Sequence, residues 1–323
     1  MRKKKKMNAY LLKPAEKETI WGGDRLARYG KSPLPDLGET WELSFTRGGE
    51  ATVGGKPLGE VFPKETWGTR AEKFDRFPVL TKFIDAKSNL SVQVHPSDAY
   101  ALANENSYGK TEMWYIVEAE PGAGLYMGLN RPATAEEFRA AIADGTVEDL
   151  LSFRPVKAGD VFFIPSGTLH AIGKGVLLYE IQQNSDLTYR VYDYNRRDAQ
   201  GNLRQLHVEK AMKVADLSVW QPQKLPAGNS HLIGADSYFY TELNKLNFTK
   251  QTFFVGEESF LALTCTRGGG KLTAGETTDF RLGQTYFLPA GSGDVTVEGE
   301  MDVIAVSAGR EPQSGSDVAP AAQ

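Results

Sequence analysis

The sequence predicts a mainly β fold of two similar β-barrels with a small helical insertion. Three observations point to it. Glycine is abundant, 33 of 323 residues, and falls between short strand-like runs. A spaced Gly–Pro–Gly frame occurs twice. Helical signals are confined to two short segments.

The strand-like runs cover residues 79–84, 90–94, 113–117, 161–164 and 176–181. They are rich in β-branched and aromatic residues, which fit a half-buried pleated surface. Gly, Pro and Asp separate them, the pattern of a sandwich or barrel. The helical insertion is expected near 134–153. It opens on a capping box, in which Thr134 accepts from the amide of Glu137 and Glu137 reaches back. Phe138, Ala141 and Ile142 follow at helical spacing, and Gly145 ends the run. A second short turn is expected over 147–153. Another helix is expected over 207–217, with Ala211, Met212 and Val214 as its buried side.

The repeat is one of matched spacing. Gly159, Pro165, Gly167 and His170 form the first copy; Gly283, Pro289, Gly291 and Asp294 form the second at the same intervals. Glycine lets the chain turn into a strand, proline ends it, and the next glycine permits the bend. Residues 221–229, with Pro222, Pro226 and Gly228, make the best linker. The expected organisation is a metal-binding catalytic unit over 1–220, a second barrel over 230–312 and a disordered tail over 313–323.

Composition narrows the function. Apolar content of 41% and charged content of 24% suit a globular core of one large or two medium domains. A net charge of −4 provides no basic field, so nucleic acid is not an expected partner. No run reaches the roughly 18 apolar residues of a membrane span. The single cysteine, Cys265, allows no intramolecular disulfide and suits a reducing cytoplasm. The lysines at 3–6 read as a disordered tail or an upstream start, because the stretch after Met7 has no apolar run of signal-peptide type.

The chemistry lies in Gln93, His95, Glu112 and His170. Gln93 and His95 are two apart on a strand and so share a face. Two imidazoles, a carboxylate and an amide suit a divalent transition metal, most simply zinc, with iron, manganese and cobalt as competitors. Without a metal, Gln93 and His95 would be an ordinary buried hydrogen-bonded pair. His170, in its own spaced block, favours the metal. Lys110 shares a strand face with Glu112 and leads into the apolar run 113–117, so it is read as buried at the site rather than as a surface ion pair. There it can serve proton transfer or phosphate binding. Arg190 offers a planar fork for a phosphate or a developing enediolate oxygen, unless Asp186 or Asp193 takes it in a salt bridge. In the second copy Asp294 replaces the histidine, so a metal is expected in the first barrel alone. His207, His231 and Cys265 are read as structural.

The His170 block resembles the second motif of the cupin superfamily, whose barrel is a double-stranded β-helix, or jelly roll. Together with Gln93-Val94-His95-Pro96 and Gly109-Lys110-Thr111-Glu112-Met113-Trp114, the chain resembles the type I mannose-6-phosphate isomerases, in their short bacterial form. Ile20-Trp21-Gly22-Gly23, Gly38-Glu39-Thr40-Trp41-Glu42 and Leu80-Thr81-Lys82-Phe83-Ile84-Asp85 support this, and the likeness runs from about residue 10 to 308. The resemblance implies one zinc per chain on Gln93, His95, Glu112 and His170, an active-site lysine at Lys110, a catalytic arginine at Arg190 and an acidic residue at Asp186. The sequence Tyr189–Tyr194 departs from the longer members, and no phosphate site can be matched. The implied reaction interconverts mannose 6-phosphate and fructose 6-phosphate through a cis-enediol, with Lys110 or a zinc-bound water as acid/base. The alternatives are another cupin enzyme, such as a different sugar-phosphate isomerase or a dioxygenase, and a non-catalytic sugar-phosphate-binding module. The expected partner is a small hexose 6-phosphate, and the expected assembly a monomer or homodimer.

Overall fold

The computed structural model describes residues 9–197, 200–221 and 238–309. The linker beyond Gln221, His231, the lysine-rich start and the tail lie outside these residues. Within them all ladder pairings are antiparallel.

Two sheets face each other in the first unit. The six-stranded sheet runs, in spatial order, Val161–Ile164, Glu112–Ala119, Val176–Gln183, Val79–Asp85, Leu37–Leu43 and Ala15–Gly23. The five-stranded sheet runs Leu151–Pro155, Gly124–Leu129, His170–Ile172, Val92–Val94 and Tyr189–Tyr192. The five runs expected as strands all contribute to these two sheets, the run 90–94 only through Val92–Val94.

The period of two sorts side chains between layers. From the strand Glu112–Ala119, Trp114 and Ile116 point between the sheets, where they meet Trp21, Ile84, Leu125, Met127, Ile164 and Leu178. Met113 and Tyr115 point the other way, into a core shared with the second unit through Phe239, Phe260, Phe287 and Val306. Aromatic rings dominate that seam: Phe77 stacks on Phe45 at 4.0 Å and lies against Trp67 and Phe260.

The helical insertion covers the outer face of the five-stranded sheet. Phe138, Ala141 and Ile142 of the helix Ala135–Asp144 pack on Val92, Val94, Ala171 and Val191. Thr134 Oγ1 accepts from the Glu137 amide at 3.1 Å, and Gly145 closes the helix at φ 72°. The reciprocal half of the capping box is replaced, because the Glu137 carboxylate pairs with Arg131 instead. The following turn is a 3-10 helix, Val147–Leu150, and it stops earlier than expected because Leu151 already pairs in the strand Leu151–Pro155. The helix expected over 207–217 shortens to Val208–Ala211. Tertiary bonds take over its amides: Asp216 N donates to Gly167 O at 2.8 Å, and Leu217 O accepts from Ala133 N. Ala211 is buried, while Met212 and Val214 pack only partly against the same cluster.

The second unit is one sheet, in the order Tyr10–Leu11, Thr285–Leu288, Leu261–Ala274, Gly293–Ala308 and Phe239–Val255, with Glu276–Arg281 on Leu261–Ala274. Its long strands break register between Asn247 and Thr249 and between Cys265 and Arg267. Such bulges bend a strand and increase its twist. They let a single sheet wrap its own apolar core around Leu263, Phe280, Val295 and Met301. Hydrogen bonding closes neither unit into a complete barrel among the described residues. The repeated frame has matched backbone: Gly159 and Gly167 have φ of 91° and 88°, Gly283 and Gly291 of 77° and 79°. Asp294 is exposed at the start of its strand.

Candidate metal centre

Strand register assembles the site from two facing rows. Across the five-stranded sheet, Met127, His170, Gln93 and Arg190 stand directly opposite one another in turn. Across the six-stranded sheet the row is Ile164, Glu112, Gln182 and Leu80. Residues directly opposite in an antiparallel pair share a face. His95 lies two residues beyond Gln93, so the chain's alternation brings it to the same space.

His95, Glu112 and His170 are buried and offer ligand atoms within 4.8 Å of one another. His95 Nε2 lies 3.2 Å from Glu112 Oε1, and His170 Nε2 lies 3.7 Å from Oε2. The Gln93 amide reaches His170 Nε2 at 3.3 Å. Rotation of its terminal torsion exchanges oxygen and nitrogen in that place.

Hydrogen bonds on the far side fix both imidazoles. His95 Nδ1 faces Leu187 O at 2.7 Å and His170 Nδ1 faces Thr168 O at 2.9 Å. A carbonyl accepts, so each Nδ1 carries the proton and each Nε2 presents a lone pair inward, the arrangement found at metal-bound histidines. Burial lowers the pKa of both rings, His95 to about 3 with the nearby Lys110 charge adding to the effect. Burial alone would raise Glu112, but Lys110 and the imidazoles hold it well below the usual carboxylate range.

Both Glu112 oxygens are buried without a hydrogen-bond donor. Lys110 Nζ lies 2.5 Å from Oε1, an ion pair rather than a directed hydrogen bond. Two imidazole nitrogens and a carboxylate whose Oε2 has no donor converge on one space. Buried polar atoms left this way are costly, and a divalent cation satisfies all of them at once. The donor set therefore fits a metal.

Lys110 is buried, with Nζ also 3.3 Å from His95 Nε2. Arg190 sits beside Gln93 and is half-buried. Its Nε donates to Ser91 Oγ at 3.2 Å and its Nη1 to Gln205 O at 3.0 Å. Neither Asp186 nor Asp193 pairs with it; Asp193 binds Arg196 and Arg204 instead. Burial and the Arg204 charge lower the Arg190 pKa. Asp186 is exposed on the loop one residue before Leu187.

His207, read as structural, holds the Arg190 backbone: its Nδ1 accepts from Arg190 N, and its own amide donates to Arg190 O at 2.7 Å. The sequence reading missed a row of residues beside the site. A second row, Trp114, Glu180, Lys82 and Trp41, lies next to the metal row. Trp114 Nε1 donates to Glu180 at 2.9 Å while its ring meets the His170 ring edge-on. Lys82 lies 3.4 Å from Glu180 and 3.5 Å from Glu39. Burial opposes its charge, but the two carboxylates outweigh burial and raise its pKa. The available signal was a charged residue flanked by Val79, Leu80, Phe83 and Ile84 in a fully buried strand.

Comparison with known proteins identifies relatives of this chain. Residues 10–127 match the catalytic domain of type I phosphomannose isomerase, and residues 232–308 match the mannose-6-phosphate isomerase cupin domain. The chain is 39% identical over 307 residues to mannose-6-phosphate isomerase ManA of Bacillus subtilis, covering 90% of this chain and 96% of that protein. The crystal structure of the mannose 6-phosphate isomerase from Bacillus subtilis superposes with a TM-score of 0.81 at 35% identity, covering 92% and 99% of the two chains. A zinc-bound mannose 6-phosphate isomerase structure, at 15% identity, shares the fold with a TM-score of 0.76 over 94% of this chain and all of that one.

Proposed function

The chain belongs to the type I phosphomannose isomerase family, and from that membership and the donor set we propose that it interconverts mannose 6-phosphate and fructose 6-phosphate with one zinc ion per chain. The observation that carries the zinc is the buried Glu112 carboxylate, its Oε2 without a donor, grouped with two imidazole nitrogens within 4.8 Å. Gln93, His95, Glu112 and His170 would hold the ion. When bound, zinc supplies Lewis acidity toward substrate oxygens on which negative charge develops.

The chain's own residues account for the rest. Lys110 is proposed as the acid/base group. Its Nζ stands beside Glu112 and His95, which supports a role in proton transfer at the ion they would hold. It moves the proton between C1 and C2 as the substrate passes through a cis-enediol. Arg190 is proposed to hold the enediolate oxygen or the phosphate. Two of its guanidinium nitrogens are anchored, and Nη2 has no protein partner among the described residues. Anchoring of this kind preorganises a donor before charge develops. Arg196 and Arg204 share the single Asp193 carboxylate and Arg190 feels the charge of both, a cationic surplus that supports binding of an anionic substrate. Asp186 is proposed as an acidic residue at the mouth of the site. The catalytic unit is taken as residues 1–220, lending the strand Tyr10–Leu11 to the sheet of the second unit, and the second unit as 230–312.

The test is formation of fructose 6-phosphate from mannose 6-phosphate, followed by a coupled assay on zinc-loaded protein. A protein that binds mannose 6-phosphate and never turns it over would remove the enzymatic reading.

A further inference from the structure

Three consecutive amides that carry Lys110 into the site are each tied down. Gly109 N donates to Asp98 Oδ1 at 2.7 Å, Lys110 N to Pro96 O at 3.0 Å and Thr111 N to Gln183 Oε1 at 2.7 Å. Gln183 Nε2 in turn donates to both Asp98 oxygens, at 3.2 and 3.3 Å. The Tyr238 hydroxyl, at the head of the strand leading into the second unit, also hydrogen-bonds Asp98. The segments touch backbone to backbone: a Cβ on Gly109 would lie 2.5 Å from Asp98 N.

We propose that Asp98 is a positioning residue, which sets Lys110 and Glu112 against His95 through Gly109 and Gln183, and that Tyr238 ties this clamp to the second unit. Asp98 never touches the metal ligands. It lies three residues beyond His95 and grips the chain one residue before Lys110, so it fixes the distance between the two arms of the site. Bonds to a carboxylate are about twice as strong as neutral ones, which suits a group that must hold a strand entrance in register. Gln183 follows Gln182 of the metal row, so the clamp joins the segment just after His95, the entrance to the Glu112 strand and the end of the strand Val176–Gln183. The second unit, which has no metal donors of its own in the repeated frame, thereby acquires a role at the site. The proposal rests on the metal-site reading above.

The test uses the full chain with Asp98→Asn and Tyr238→Phe, the latter keeping the ring against Phe74 and Tyr108. Cobalt replaces zinc as a spectroscopic probe, and kcat and KM for mannose 6-phosphate are measured on the zinc forms. For Asp98→Asn the expected result is an altered cobalt visible spectrum and a kcat at least ten-fold lower with KM changed less than three-fold. Tyr238→Phe should shift both in the same sense by a smaller factor, and it carries the test should Asp98→Asn not fold. A cobalt spectrum and kcat equal to the parent's in the folded variants would overturn the proposal, even if the melting temperature fell. If the parent itself shows no turnover, the isomerase reading fails, and the cobalt spectra alone decide the clamp.

Discussion

His95 Nε2 and Glu112 Oε1 face each other at 3.2 Å, both buried and both acceptors. Without a cation this contact is repulsive; Lys110 Nζ, 2.5 Å from Oε1 and 3.3 Å from Nε2, offsets it but leaves Oε2 without a donor. A bound metal should therefore stabilise the folded chain. At a free zinc concentration a hundred times the Kd, the gain is about 2.7 kcal/mol, or roughly 5 °C in Tm for a protein of this size. Thermal unfolding with and without zinc checks this, and His95→Ala should melt without responding to the metal.

The same burial makes zinc binding resistant to acid. An imidazole competes for protons only below its folded pKa, and that of His95 is depressed to about 3, with His170 shifted in the same direction. Two unshifted imidazoles would lose roughly ten-fold in apparent affinity between pH 7.5 and 6.0. Here a chelator-competition titration should show a change under about three-fold over that interval, given the direction of both shifts. A ten-fold loss would place the histidines in water rather than in the core. In the metal-free protein the sign for stability follows. The unfolded chain takes up the His95 proton first, so stability declines as pH falls from 6.5 toward 3.

Arg190 is anchored by Ser91, Gln205 and the His207 backbone clasp, so removing its side chain should leave the fold and the metal in place. Arg190→Ala is expected to retain one zinc per chain by metal analysis and to lose roughly 10²–10³ in kcat, the range for a preorganised charge-stabilising donor. Unchanged turnover would exclude Arg190 from the reaction.

The grouping of His95, Glu112 and His170 was legible because they sit in strongly patterned strands. Gln93 and His95 are two apart, and Glu112 opens the apolar run 113–117. The Gly159 and Gly167 positions were legible for the same reason, since positive φ restricts them. What could not be read was register between strands distant in sequence. That Arg190 lies opposite Gln93, and that Lys82 joins Glu180, depends on pairings across about a hundred residues. The helix over 207–217 was overextended because local periodicity competes with tertiary bonds from Gly167 and Ala133, and those won. The missed half of the capping box has a similar origin, in the pull of Arg131 on Glu137.

The aromatic seam makes a stability prediction independent of the site. Phe77 is 1% exposed and packs against Phe45, Trp67 and Phe260, with residues of both units in one cluster. Phe77→Ala is expected to cost about 3–5 kcal/mol, read by chemical denaturation. Because the cluster spans both units, fluorescence and far-UV circular dichroism should report the same midpoint. Two separated transitions would show that the units unfold independently.

The most direct test of the central claim is to add zinc back to metal-free protein while following fructose 6-phosphate formation from mannose 6-phosphate. Turnover should rise with added zinc and level off at one equivalent per chain, and His95→Ala should stay inactive throughout. Full activity before any zinc is added, or an active His95→Ala protein, would contradict the assignment of this buried cluster as the catalytic metal centre.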